Sequence, residues 1–121
     1  MIALQQQLRE AAMTTEEKDG ITIVVTDDRL DALVAATLKD TVKQLAEAGK
    51  LKILIDMGQT KFIDSAGCGA LVASLRVLIK NQGDMKIARP SQQVQTLFEL
   101  TRLHRVFEIF DEIDAAARSF A

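Results

Sequence analysis

The sequence has few of the residues that build disulfide frameworks, metal sites or aromatic cores. Its 121 residues include one cysteine, one histidine, one proline and five phenylalanines, with neither tryptophan nor tyrosine. A single cysteine excludes an internal disulfide and is typical of a reducing compartment. Because one cysteine and one histidine form no cluster of metal ligands, we expect neither a metal nor a cofactor. The core has to be built from aliphatic side chains.

The sequence also lacks a concentration of charge or of apolar residues. The 15 basic and 17 acidic residues are interspersed and give a formal net charge of −2, so the composition does not predict nucleic-acid binding. No stretch approaches the roughly 20 apolar residues of a membrane-spanning helix. The first residues have neither the basic nor the apolar region of a signal peptide. We therefore expect a single soluble, cytoplasmic domain without nucleic-acid binding or membrane insertion.

Changes of hydrophobic period along the chain predict alternating strands and helices. The residues of Ile21–Thr26 are mostly β-branched and follow an Asp19-Gly20 turn, which predicts a hairpin with a strand at 12–18. Further strands are predicted at 51–57, 85–88 and 106–110, and helices at about 32–48, 66–81, from 91 onward and after 111. The alternation predicts an α/β domain: a mostly parallel mixed sheet with an antiparallel edge strand and about four helices.

The stretch 62–71 is the passage from a strand to a helix, and it holds the main functional candidate. Asp64 and Ser65 are both preferred N-cap types, because their side-chain oxygens accept the unpaired amide hydrogens of a first helical turn. That turn is almost bare of side chains, since its residues are small: Ala66, Gly67, Gly69 and Ala70. Ser65 is therefore expected to be open to an approaching surface.

Three interpretations of Ser65 follow from the residues around it. It could be a helix cap and nothing more. It could be a hydrolase nucleophile, but residue 63 is isoleucine rather than the glycine of a nucleophile elbow, and His104 is the only histidine in the sequence. It could be a phosphorylation site, because a phosphoryl group at a helix N-terminus meets free amide hydrogens and the positive end of the dipole.

The run Phe62-Ile63-Asp64-Ser65-Ala66-Gly67 resembles the signature of STAS domains, in particular of bacterial anti-sigma factor antagonists. Leu30-Asp31 after the second strand and the pattern from Pro90 to Phe107 are similar to the same family. The resemblance extends from about residue 12 to the C-terminus. It implies a STAS domain at 12–121, preceded by a lead-in at 1–11.

The resemblance implies a non-enzymatic switch. An unphosphorylated antagonist binds an anti-sigma factor that is also a serine kinase, the kinase phosphorylates it with ATP and magnesium, and a serine phosphatase reverses the reaction. Carried onto this chain, Ser65 is the phosphate acceptor. The implied partner-binding residues are Asp31, Asp64, Ser65, Ala66, Gly67 and Gly69. Two positions depart from the family: Ala66 replaces a frequent second hydroxyl residue, and Asp28 replaces a usual glycine.

Two other functions stay open beside the switch. One is an accessory STAS subunit of a transport ATPase or a sensory complex, which would dock constitutively and use Ser65 only as a cap. The other is an enzyme with Ser65 as nucleophile, which the missing glycine and the lack of an evident base disfavour. Phosphorylation of Ser65 separates the first of these from the switch. The sequence indicates neither the oligomeric state nor the sigma factor.

Overall fold

A computed structural model describes residues 13–120, so the predicted lead-in at 1–11 lies outside the described part of the chain. Within residues 13–120 the chain forms seven strands and four α-helices. In order they are β1 (Met13–Lys18), β2 (Ile21–Thr26), β3 (Arg29–Leu30), α1 (Ala32–Glu47), β4 (Lys52–Asp56), β5 (Phe62–Ile63), α2 (Ser65–Lys80), β6 (Asp84–Ala88), α3 (Gln92–Leu100), a 3-10 turn (Leu103–Arg105), β7 (Ile109–Phe110) and α4 (Ile113–Arg118).

The strands form a five-stranded sheet and a separate two-stranded ribbon. The sheet has the order β1-β2-β4-β6-β7, and the ribbon pairs β3 with β5. Strand β1 is antiparallel to β2, whereas the other neighbours in the sheet are parallel. This confirms the predicted α/β fold with a mostly parallel mixed sheet and an antiparallel edge strand.

The two faces of the large sheet are covered unequally. Helices α1, α2 and α3 pack on one face, over a mostly aliphatic cluster that includes Val24, Ile55 and Leu71 and also the aromatic ring of Phe98. On the other face a smaller cluster, Ile21, Ile23, Leu54, Ala88 and Ala116, lies beneath α4. The core is largely aliphatic, as the scarcity of aromatic residues predicts.

Three helices begin after residues of the preferred N-cap types. The side chains of Asp31, Asp64 and Ser91 accept amide hydrogen bonds from the first turns of α1, α2 and α3. Past the end of α1, Gly49 has a φ of 81°, a left-handed backbone that glycine adopts without steric cost. Local sequence therefore sets where these helices begin and where α1 ends.

The predicted strand at 106–110 is wrong in its first half. Residues Leu103–Arg105 form a 3-10 turn, and the amides of Val106 and Phe107 donate to the Leu103 carbonyl at 2.9 and 3.0 Å. Amides committed to that turn cannot join the ladder of the sheet. Only Ile109 and Phe110 pair with β6.

Candidate functional site

The β3–β5 ribbon brings two helix starts side by side. Arg29 is paired with Phe62 and Leu30 with Ile63, in parallel register. Each strand is followed by a capping aspartate, and the two caps have nearly the same backbone angles: φ −111° and ψ −172° at Asp31, φ −111° and ψ −174° at Asp64. The amide of Asp64 donates to the Leu30 carbonyl at 3.4 Å. Asp31 and Asp64, which the sequence places 33 positions apart, therefore meet at one edge.

Asp64, and not Ser65, is the cap of α2. Its Oδ1 accepts the amide hydrogen of Gly67 at 2.9 Å, and its carbonyl accepts that of Cys68 at 3.0 Å. Ser65 is the first residue of the helix and is exposed. The interpretation of Ser65 as the helix cap is therefore wrong, and the serine hydroxyl is free for another role.

The two glycines of the first turn of α2 have different surroundings. Gly67 is buried, and a Cβ there would overlap the Leu30 carbonyl oxygen and come within 2.9 Å of Ile63 Cγ1. Gly69 is exposed, and a Cβ there would meet nothing within 4 Å. Gly67 thus allows α2 to pack closely on the β3–β5 ribbon, a reason for glycine that is independent of any partner. Its predicted contact with a partner stays a prediction.

Ala66 and Cys68 are partly buried and pack against the main core. Burial raises the pKa of the Cys68 thiol, and the negative charge of Asp64 raises it further. The thiol is therefore protonated at neutral pH and is a poor nucleophile. Its position agrees with a packing role.

One face of the β3–β5 ribbon is exposed and carries residues that sequence reasoning missed. Leu30 and Ile63 point into the core, so Arg29 and Phe62 point outward. The Arg29 guanidinium carbon lies 4.4 Å from the centroid of the Phe62 ring, the distance of a cation–π contact. Phe62 is 41% exposed, unusual for the side chain of a phenylalanine.

Leu33 adds a second exposed apolar side chain beside this face. It lies in the first turn of α1 and is 88% exposed. The sequence held a signal for it, because Leu33 falls outside the apolar stripe of Val34, Leu38, Val42 and Leu45. We refer to Arg29, Leu33, Phe62, Ser65 and Gly69 together as the Ser65 surface.

Arg29 also lowers the pKa of the Asp31 carboxyl group. Arg29 Nε donates to Asp31 Oδ2 at 3.2 Å. This hydrogen bond lowers the pKa of the Asp31 carboxyl, and the amides of Val34 and Leu33 lower it further. Asp31 is therefore ionised and paired, whereas Asp64 has no ion-pair partner among residues 13–120. The unpaired negative charge lies next to Ser65.

The loop that leads to β5 is held by hydrogen bonds to the loop that leads to β3. The carbonyl of Asp28 accepts the amide hydrogens of Lys61 and Phe62 at 2.8 and 3.1 Å. The hydroxyl of Thr60 donates to the Asp27 carbonyl at 2.7 Å. Asp28 is not among the residues with positive φ, so aspartate replaces the family's glycine here without backbone strain.

In the part of the chain that the structure describes, no helix is long and apolar enough to cross a membrane. The same residues contain no group of three or more histidine, cysteine, aspartate or glutamate side chains placed to hold a metal ion.

The mixed sheet, the two-stranded ribbon and the exposed serine after the Asp64 cap together describe a small α/β domain. The family model of the STAS domain matches residues 12–116. This chain therefore belongs to the STAS domain family.

Known proteins similar to this chain include a curated relative and two solved structures. The anti-sigma-B factor antagonist of Staphylococcus aureus is 24% identical over 95 residues, which cover 78% of this chain and 88% of the relative. A Thermotoga maritima protein described as a candidate anti-sigma factor antagonist superposes with a TM-score of 0.84 at 23% identity, covering 92% of this chain and 96% of its own. The phosphorylated form of the Bacillus cell fate determinant SpoIIAA has a TM-score of 0.69 at 19% identity, covering 89% and 99%.

Proposed function

We propose that this protein is an anti-sigma factor antagonist. It binds an anti-sigma factor that is also a serine kinase through the Ser65 surface, and phosphorylation of Ser65 switches this binding off. The names of similar proteins support the function of an anti-sigma factor antagonist, and a similar fold has been solved in a phosphorylated form. The observation that supports a switch by phosphorylation is the exposure of Ser65 immediately after the Asp64 cap.

The start of α2 can accept a phosphoryl group without refolding. Asp64 occupies the amides of Gly67 and Cys68, which leaves those of Ser65 and Ala66 as the unpaired amides of the first turn. A phosphoryl group brings oxygen acceptors to these amides and about −1.5 to −2 of charge to the positive end of the helix dipole. The fold is therefore preserved in both states of the switch.

A phosphoryl group on Ser65 also disrupts docking of a partner. Phe62 and Leu33 are exposed and offer the partner apolar contacts, and Arg29, stacked on Phe62, offers a cation. Aromatic and arginine side chains are enriched in protein interfaces. A phosphoryl group among them adds bulk and negative charge beside the unpaired Asp64 carboxylate, so the binding energy falls.

This chain supplies the acceptor of the reaction and none of its catalytic groups. The Ser65 Oγ forms a bond to the γ-phosphorus of ATP held by the kinase, the bond to ADP breaks, and the serine proton passes to the kinase or to water. A serine phosphatase later hydrolyses the phosphoserine to serine and inorganic phosphate. In this scheme the chain is a protein substrate and not an enzyme.

The experiment that tests this function is intact-mass spectrometry of the protein after incubation with ATP, magnesium and a recombinant anti-sigma serine kinase from the same organism. We expect one phosphoryl adduct that maps to Ser65, is absent from Ser65→Ala and returns in Ser65→Thr. An adduct on another residue would contradict the site. Binding of the kinase with no adduct would instead favour the accessory-subunit function.

A further inference from the structure

A groove between β5 and α3 adjoins the Ser65 surface at Phe62. It has a volume of about 330 Å³. The side chains that line it come from the end of the β4–β5 loop, from β5 and from one face of α3: Lys61, Phe62, Ile63, Gln93, Val94 and Leu97. Phe62 belongs both to the groove and to the Ser65 surface, so a partner that contacts Phe62 lies at the edge of the groove.

The groove has an apolar floor, and Lys61 is the one charged side chain among the described residues that line it. Ile63 and Val94 are buried, Leu97 is partly buried, and together with Phe62 they form an aliphatic and aromatic floor. The described residues that line the groove include no carboxylate. Lys61 is exposed and has no ion-pair partner within residues 13–120. Gln93 lies in the first turn of α3, where the helix dipole adds positive potential.

An ion pair joins the segments of chain that lead into the two walls of the groove. Arg89 donates to Asp56 through Nε at 3.0 Å and through Nη2 at 2.9 Å. Asp56 ends β4, before the loop to Lys61, and Arg89 lies between β6 and α3. A Cβ at Gly58 would come within 2.5 Å of the guanidinium, so this loop packs directly on the ion pair. The ion pair therefore ties the β4–β5 loop, which leads to β5, to the connection that leads to α3.

We propose that this groove binds an acidic segment of the anti-sigma factor, with an aliphatic side chain on the floor and a carboxylate near Lys61. We choose an acidic segment because of the charge of Lys61. A lysine beside an apolar floor complements a carboxylate next to an aliphatic side chain and repels a basic segment. This inference rests on the proposed function and names the chemistry of the partner segment that the Ser65 surface recruits.

Two adjacent glutamines offer a matched test of this proposal. Gln92 and Gln93 are both exposed and both lie in the first turn of α3, but only Gln93 lines the groove. A glutamate at either position favours the helix dipole to a similar extent, so both variants are expected to fold. The measurement is the Kd of each variant for the recombinant anti-sigma serine kinase, by isothermal titration calorimetry at low and high salt.

We expect Gln93→Glu to bind about fivefold or more weakly than Gln92→Glu, and Gln93→Lys to bind more tightly than Gln92→Lys. The difference is expected to shrink at high salt, because exposed charges are screened. Lys61→Glu is expected to weaken binding in the same way, whereas Lys43→Glu, which makes the same charge change on an exposed face of α1, is expected to bind like wild type.

Equal Kd values for the two glutamate variants would show that the groove does not bind the acidic segment. Tighter binding by Gln93→Glu would indicate that the groove binds a basic segment instead. In both cases wild type would still bind the kinase and be phosphorylated on Ser65, so the proposed function would stand. If wild type itself neither bound nor was phosphorylated, the proposed function would fail and the groove proposal with it.

Discussion

At the start of α2, one residue caps the helix and the next carries the exposed hydroxyl: Asp64 is the cap and Ser65 has the hydroxyl. Asp64 accepts the amide hydrogens of Gly67 and Cys68, and Ser65 presents a free hydroxyl on the surface. Because the cap does not depend on the serine, the serine can be modified while the helix stays intact. Gly67 makes this arrangement possible by letting α2 approach the Leu30 carbonyl.

The two glycines of α2 give the sharpest prediction at the level of single residues. Gly67→Ala is expected to destabilise the protein by about 1–3 kcal/mol, because its methyl group has to displace backbone atoms of β3. Gly69→Ala is expected to be neutral or to stabilise by up to about 1 kcal/mol, because alanine is the better helix former at an open position. Urea unfolding of both variants checks this.

The Gly69→Ala variant is the control for the loss of glycine as such. If Gly67→Ala unfolded at the same urea concentration as Gly69→Ala, the close packing of α2 on the ribbon would be disproved.

The β3–β5 ribbon is the element that assembles the site. Its two strands have two residues each, yet they place the starts of α1 and α2 at one edge and expose Arg29 and Phe62. Parallel pairing explains this, because both strands deliver their following residues in the same direction. The site is therefore a property of the ribbon rather than of the serine turn alone.

The start of α2 is expected to depend on the capping residue. Asp64→Ala should cost about 0.5–2 kcal/mol of stability, whereas Asp64→Asn should cost little, because asparagine caps as well as aspartate. Ser65→Ala should leave stability close to wild type. Thermal or urea unfolding of the three variants is the check. A Ser65→Ala variant as unstable as Asp64→Ala would mean that the serine caps the helix after all.

The sequence predicts long periodic elements well and short ones poorly. Strand β2 and helix α1 are marked by β-branched residues and by apolar residues at helical spacing, and both lie where the sequence places them. Strands β3 and β5 are too short to show any period, so Arg29–Leu30 looks like part of a polar loop. Val106 and Phe107 have a strand pattern, but their amides are taken by a turn.

The same limit applies to the site. The residue types of Asp31, Asp64 and Ser65 indicate helix starts from local sequence alone, but the choice between Asp64 and Ser65 as cap depends on backbone geometry. The stacking of Arg29 on Phe62 and the groove beside α3 join residues far apart in the chain. No local pattern contains that information.

At the scale of the whole molecule, the chain covers one face of its sheet with its own C-terminal helix. Lys86, a buried residue of β6, donates to the Ser119 carbonyl at 2.9 Å and lies 4.7 Å from the Phe120 ring. Lys18 in β1 pairs with Asp114 in α4. These contacts fix α4 on the sheet, so the Ser65 surface and its groove are available for a partner while that face is occupied.

The proposed switch is a property of the whole molecule, because it requires that two states share one fold and differ in one surface. The most direct test is the Kd of the anti-sigma serine kinase for the unphosphorylated protein and for the protein phosphorylated on Ser65, with both unfolding curves measured in parallel. We predict at least about tenfold weaker binding after phosphorylation, equivalent to about 1.4 kcal/mol, with unfolding midpoints that stay close. Equal Kd values for the two forms would contradict the account, and so would a phosphorylated form that loses binding only because it unfolds.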